Sequence, residues 1–223
     1  MPEELRPSPA PQEPPAPDDR ERAAAGQLFG SRCGLAQRYV AHLASSGIVR
    51  GLIGPREVPR LWSRHVLNCA VVQEHIADGA RVADVGSGAG LPGLCLALAR
   101  PDLELVLVEP LERRVQWLEE VVSDLGLENV RVVRARAEQA TDEVGEVDVV
   151  TARAVSALAG LLDITLPLLR GQGELLALKG RSAEEEVRKA RKKLERYGVR
   201  STEVIAAGSD LLDEPTTVVR VRL

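Results

Sequence analysis

Ala80-Arg81-Val82-Ala83-Asp84-Val85-Gly86-Ser87-Gly88-Ala89-Gly90-Leu91-Pro92-Gly93-Leu94 is the stretch whose reading decides the fold. Val82, Ala83 and Val85 form a short apolar run that meets Asp84 and Gly86, the pattern of a buried strand entering a turn. Glycines at 86, 88 and 90 let the backbone take positive φ and lie close against a ligand. Pro92 suits the first turn of a helix, where its missing N–H has no partner to lose. Leu94, Leu96, Ala97 and Leu98 continue that helix with an apolar face. Strand, glycine turn and helix N-terminus together make a site for a cofactor that carries adenosine.

Two readings compete at this turn. Gly88-Ala89-Gly90-Leu91-Pro92-Gly93 fits the dinucleotide pattern G-x-G-x-x-G, which is a weak signal alone. The longer form, Asp84-x-Gly86-x-Gly88-x-Gly90, is that of class I S-adenosylmethionine-dependent methyltransferases. Asp84 separates the two, because a carboxylate is repelled by a pyrophosphate and attracted by the ammonium of a methionine end. A glycine-rich turn that holds no ligand is the third possibility.

Working outward, the bulk properties narrow the class. A chain of 223 residues fits one domain with a small appendage, and 44% hydrophobic content supplies a core that 2% aromatics leave to Leu, Val and Ala. There is no apolar run long enough to span a membrane and no apolar h-region at the N-terminus, so a cytoplasmic protein is expected. Cys33, Cys69 and Cys95 are odd in number and widely spaced, which suits neither a disulfide framework nor a zinc site. His65 and Cys69 are four residues apart on an expected helix, but two ligands do not make a metal site, and no metal is expected. The net charge of −4 argues against a protein that coats nucleic acid; residues 1–21 carry six acids against Arg6 and Arg20, so the rest is neutral with room for a local basic face.

Residues 1–20 hold seven of the fourteen prolines and few large apolar groups, and are expected to be a disordered tail. Residues 21–78 show helical periodicity, from Glu21 to Leu52 and from Glu57 to about Ala77. From 79 to 223 short apolar runs alternate with helical ones, the pattern of a parallel sheet with crossovers. Strands are expected at 81–85, 104–108, 130–134, 147–151 and 173–178, and helices at 91–99, 111–126, 155–170 and 182–197. Two β-rich runs, 199–206 and 216–222, are spaced for an antiparallel pair at the sheet edge. The fold class is therefore α/β, a Rossmann-like and mostly parallel sheet with an antiparallel edge and N-terminal helices.

Several residues are candidates for chemistry. Glu109 closes the second strand, nineteen residues after Gly90, where a carboxylate accepts both ribose hydroxyls of an adenosine; the alternative is an ordinary strand-end acid. Ala137 and Glu138 follow the third strand, where backbone and carboxylate meet adenine N–H groups, or Glu138 is simply solvated. Arg153 follows the fourth strand and is placed to touch cofactor or base, and Lys179 follows the fifth, placed to meet a phosphate or to be a surface lysine. Arg64 and His65 lie on an amphipathic helix that either closes over the cleft or packs and is solvated. The run Arg188–Lys193 pairs with Glu184–Glu186 along one helix, with some positive charge left to meet RNA backbone. There is no Asn/Asp-Pro-Pro-aromatic motif, no catalytic cysteine pair and no Ser/His/Asp arrangement. That suits an acceptor needing no deprotonation, such as purine N7 with its in-plane lone pair.

The motifs together resemble those of the RsmG (GidB) family. Trp62-Ser-Arg-His-Val-Leu-Asn68, Asp84-Val-Gly-Ser-Gly-Ala-Gly-Leu-Pro-Gly93, Glu109-Pro-Leu-Glu-Arg-Arg-Val-Gln-Trp-Leu118, Ala152-Arg-Ala154 and Ala177-Leu-Lys-Gly180 occur in that family's order and spacing, over about residues 25–223. The resemblance implies methylation of guanine N7 at position 527 of 16S ribosomal RNA, S-adenosyl-L-methionine as cofactor, and the small ribosomal subunit or its assembly intermediate as partner. It implies cofactor contacts at Gly86, Leu91, Ala137, Glu138 and Arg153, and RNA-facing positions at Lys179, Arg64 and His65. Asp84, Gly88 and Glu109 join the cofactor set on the residue reading above. The chain departs from the family pattern at Gly51-Leu-Ile53 and Glu214-Pro-Thr-Thr217, both outside the cofactor motifs. The alternatives are a ribosome-binding module with a vestigial cofactor pocket and a nicotinamide-dependent oxidoreductase, for whose substrate domain little chain remains after residue 150.

Overall fold

The computed structural model describes residues 10–223. Seven strands form one sheet in the order β3-β2-β1-β4-β5-β7-β6. β1 (Arg81–Val85), β2 (Glu104–Val108), β3 (Val130–Val133), β4 (Val149–Arg153) and β5 (Glu174–Leu178) are parallel, and β7 (Thr216–Arg222) runs antiparallel between β5 and β6 (Ser201–Ala207). The order reverses between β1 and β4, so the crevice at their carboxyl ends is the switch point where ligands bind in such sheets.

Alternation along each strand divides the core. Val82, Leu105, Leu107, Val149, Leu176 and Leu178 face one layer of helices, while Ala83, Val85, Val106, Val150, Leu175 and Ala177 face the other. The first layer contains α1 (Asp19–Phe29), α2 (Cys33–His42), the short α3 (Asn68–Ala70), α4 (Gly93–Ala99) and α5 (Glu112–Leu125). The second contains α6 (Thr141–Val144), α7 (Leu158–Thr165) and α8 (Ala183–Arg196). A capping box of Asp18 and Glu21 opens α1, each side chain accepting from the other's N–H. α5 stops at Gly126 in the left-handed conformation. Trp117 and Tyr39 are the largest fully buried side chains and lie in the same cluster, so the N-terminal helices share a core with the sheet.

Several boundaries differ from the sequence reading. Residues 1–9 of the expected tail lie outside the described residues. Residues 10–18 run against the helical layer: Gln12 N–H donates to Ala44 O at 2.9 Å, and Trp62 Nε1–H to Pro15 O at 3.0 Å. α1 starts at Asp19, ahead of the expected Glu21. The expected helix from Glu57 is instead a 3-10 stretch, Pro55–Arg60, then wide π turns, Leu61–Leu67, and α3, because Pro59 inside the first segment has no N–H to continue an α-helix. The helix read from 91 starts at Gly93. β4 runs two residues later than read, since the Asp148 carboxylate accepts the Arg81 N–H outside the ladder while Thr151 and Ala152 pair with Asp84 and Val85. The expected helix 155–170 shrinks to Leu158–Thr165 and a 3-10 turn carrying Pro167. Ala154 at φ +55° leads into a loop that precedes it. Among the described residues no helix is long and apolar enough to cross a membrane.

Candidate active site

The glycine turn sits at the carboxyl end of β1. Gly86, Gly88 and Gly90 have φ of +69°, +55° and +80°, values open to glycine alone without strain. A Cβ on Gly90 would lie 2.4 Å from Leu94 Cδ1, and one on Gly86 would lie 2.8 Å from Val155 Cγ2. The loop after β4 therefore leans over the turn. Gly88 has no such neighbour: its nearest atom would be the Gly86 carbonyl at 3.7 Å, so its outer side is open to a ligand. Leu91 lines the turn and is buried. From the helical layer, Tyr39 Oη–H donates to the Ala89 carbonyl at 2.6 Å and pins the turn from above.

Asp84 lies beneath the turn and is fully buried. Alternation puts it on the α4 side with Val82, where Oδ2 accepts the Gly93 N–H at 3.1 Å and Oδ1 accepts the Thr151 hydroxyl at 3.0 Å. Burial pushes its pKa up to about 6, opposed by those two hydrogen bonds and by the charge of Arg153. Each carboxylate oxygen carries one hydrogen bond that braces α4 and β4 against β1, and each keeps a second lone pair.

Glu109 is as buried as Asp84 yet lies at the edge of the turn. Its Oε2 accepts Gly88 N–H at 3.0 Å and Oε1 accepts Leu111 N–H at 3.0 Å, with Arg114 at 3.6 Å. Each oxygen keeps a second lone pair, the capacity that two ribose hydroxyls need. Ala137, buried, and Glu138, exposed, sit on the 3-10 turn Ala137–Gln139 beyond β3. The turn, Glu109 and this segment lie along the carboxyl ends of β1, β2 and β3 in the order the sequence implies.

The basic candidates separate. Arg153 ends β4, with Nη1–H donating to Cys69 Sγ at 3.1 Å and Nη2–H to His65 Nδ1. His65 is buried, contrary to an RNA-facing position, and its Nε2 meets Glu57 Oε2 at 2.8 Å. Burial and then the charge of Arg153 hold the His65 pKa below the ordinary histidine value, while Glu57 pulls it upward. Arg64 is exposed, 3.8 Å from Glu57. Lys179 is the second correction. Its ammonium pairs with Glu186 at 2.9 Å and donates to the Ser156 carbonyl at 2.7 Å, so it anchors the loop that covers Gly86 and has little charge left for a phosphate.

Sequence reasoning missed Tyr39, Glu57 and Thr151. Glu57 and His65 are eight residues apart, which puts them on one face of a regular helix but about 12 Å apart. The 3-10 and π turns fold that distance to a hydrogen bond. An open groove at the opposite ends of the strands is lined by Asp78, Asp148, Glu174 and Arg222, whose charges are taken up within the fold: Asp78 pairs with Arg100, Asp148 accepts the Arg81 N–H, and Glu174 pairs with Arg220 and Arg222.

Both the fold and the sequence have known counterparts. The chain is similar to solved methyltransferases: a SAM dependent methyltransferase from Aquifex aeolicus has TM-score 0.52 at 22% identity, covering 76% of this chain and 98% of that one. A precorrin-6y C5,15-methyltransferase from Geobacter metallireducens has TM-score 0.53 at 17% identity, with coverages of 77% and 90%. At such identity the likeness is one of fold. Sequence similarity is far closer to proteins named ribosomal RNA small subunit methyltransferase G. The one from Pseudarthrobacter chlorophenolicus is 66% identical over 201 residues, 90% of this chain and 93% of that protein. That from Leifsonia xyli subsp. xyli is 56% identical over 200 residues, with coverages of 90% and 95%. The family model described as GidB, rRNA small subunit methyltransferase G, matches residues 32–212, and the chain belongs to that family.

Proposed function

We propose that the chain transfers the methyl group of S-adenosyl-L-methionine to N7 of a guanine in 16S ribosomal RNA, the one at position 527. Its partner in this reading is the small ribosomal subunit or its assembly intermediate, in the cytoplasm. Residues 21–78 form the wall over the site and residues 79–223 the cofactor-binding unit. The observation that carries the reading is the glycine corner at the switch point, open at Gly88 and bonded through that residue to Glu109.

When bound, S-adenosylmethionine supplies an electrophilic methyl on a sulfonium. Gly86, Gly88 and Leu91 offer backbone and apolar surface to the cofactor, and the spare lone pairs of Glu109 accept its ribose hydroxyls. The Ala137 backbone and the Glu138 carboxylate meet the adenine edge. Asp84 favours a cation above the turn. Arg153 borders both cofactor and guanine. N7 carries a free lone pair, so the protein's work is alignment and exclusion of water, which needs no general base. Arg64 keeps an exposed guanidinium to meet RNA, and a neutral fold gives RNA binding that weakens with salt.

Calorimetric titration of the full chain with S-adenosylmethionine and with NAD tests the cofactor. Binding of the first alone is expected, and binding of NAD alone would overturn the reading. Transfer of labelled methyl to small-subunit RNA distinguishes an enzyme from a ribosome-binding module.

A further inference from the structure

Arg153 is surrounded by Tyr39, Cys69 and Cys95, and its hydrogen bonds go to Cys69 and to His65 Nδ1. A guanidinium only donates, so Nδ1 of His65 is the acceptor and carries no proton. The single proton of the neutral ring then lies on Nε2, which donates to Glu57 Oε2. The other Glu57 oxygen accepts from Arg60 Nη2 at 2.6 Å. Residue chemistry alone therefore sets the direction of every bond in this chain: Arg60 donates to Glu57, His65 to Glu57, and Arg153 to His65. His65 is 6% exposed, so bulk water does not compete for either ring nitrogen.

We propose that Glu57 and His65 are positioning residues for Arg153: Glu57 fixes the proton on His65 Nε2, and the free Nδ1 lone pair holds the guanidinium at the end of β4 beside the glycine corner. The proposal rests on the reading of Arg153 as a contact for cofactor or guanine. Neither Glu57 nor His65 touches a reacting atom. The arrangement is also acid-sensitive. His65 is faced by Glu57 and Arg60 from the 3-10 segment, Arg64 from its own turn, Arg153 from β4 and Cys69 from α3. Cys95, Tyr39 and Asp84 lie around Arg153 from α4, α2 and β1. Protonation turns Nδ1 into a donor aimed at a cation, so the guanidinium is expelled as pH falls through the histidine pKa, below about 6.5.

The first test needs no cofactor. Long-range proton–nitrogen NMR of the full chain reports the tautomer of each of its three histidines, with the His65 signal identified by its loss in His65→Gln. The expected result is a neutral ring protonated at Nε2 down to below about pH 6.5, a mixture of tautomers in Glu57→Ala, and recovery of the Nε2–H form in Glu57→Gln, which keeps the acceptor. An Nδ1–H ring, or a His65 pKa at or above the ordinary value, overturns the proposal. The second test follows single-turnover methyl transfer against pH, with unfolding midpoints measured alongside. Glu57→Ala and His65→Phe should lower transfer roughly 10- to 100-fold, the scale of a misplaced group. Glu57→Gln should recover most of it. In an Asp84→Asn background, which removes the other group at the corner that titrates near 6, the acid limb should vanish on adding His65→Phe. An active Asp84→Asn protein whose acid limb persists on adding His65→Phe overturns the relay alone. A wild type that neither binds S-adenosylmethionine nor transfers methyl overturns the methyltransferase reading, and the relay falls with it.

Discussion

Replacing Gly93 with alanine puts the packing of the glycine corner to a quantitative test. Gly93 opens α4, and its N–H is one of the two hydrogen-bond donors to Asp84. A Cβ there would lie 2.3 Å from Leu107 Cδ2 and 2.8 Å from Asp84 Oδ2. Both neighbours are fully buried and have nowhere to swing. Overpacking a dense interior costs about 1–3 kcal/mol, and pulling a buried carboxylate off its donor costs about 1–3 kcal/mol more. Alanine's smaller loss of backbone freedom offsets about 0.5–1 kcal/mol of that. The net loss is near 3 kcal/mol, or about 10 °C in unfolding midpoint for a chain of this length. Urea unfolding followed by the fluorescence of Trp62 and Trp117 reads it as a lower midpoint at unchanged slope. Gly26→Ala is the control. It lies in α1 with no atom within 4 Å of its Cβ position, and it should gain about 0.5–1 kcal/mol. Equal stability of Gly93→Ala and wild type would refute the packing argument.

Asp84 adds a pH dependence. Its folded pKa of about 6 exceeds the unfolded value, so its contribution is present below about pH 4 and is lost as pH rises through 6, about 3 kcal/mol in all. Asp84→Asn should remove that slope in denaturation curves taken from pH 4 to 7; parallel curves for the two proteins would contradict it. Lys179→Met strands Glu186 and the Ser156 carbonyl, and should cost about 1–3 kcal/mol while leaving the salt slope of RNA binding unchanged. A slope reduced by about one with stability intact would restore the phosphate contact. Trp62→Phe loses the donor to Pro15, worth about 0.5–1.5 kcal/mol, and leaves a cavity where the buried indole packs, so the global midpoint falls as well. Proteolysis within residues 10–18 should speed up by more than that global loss accounts for, and equal cleavage rates would refute the contact.

The sheet was legible because its strands are short apolar runs whose alternation and spacing permit little else. β1, β2 and β7 have the boundaries their residues imply. β4 was misread by two residues because Val147 is apolar while Asp148 is spent on the Arg81 N–H, a partner from another strand that periodicity cannot show. The helical layer was legible as helical but not in its turns, since a tight 3-10 segment followed by wide π turns averages close to the apolar spacing of an α-helix. At the site, backbone-determined features were readable: positive φ at three glycines and an acid at the end of β2. What a charged side chain touches was not. Asp84, Lys179 and His65 all find partners more than 6 residues away, from Gly93 and Thr151 to Glu186, Ser156, Glu57 and Arg153, and through those bonds they brace the corner and the loop over it.

The central claim is that this corner directs a sulfonium methyl to one purine nitrogen of the small-subunit RNA. Its most direct test is to incubate the full chain with labelled S-adenosylmethionine and unmodified small ribosomal particles, then map the label by nuclease digestion and mass spectrometry. One 7-methylguanine is expected, at position 527. Label on another atom or another nucleotide, or none at all with cofactor bound, would contradict it.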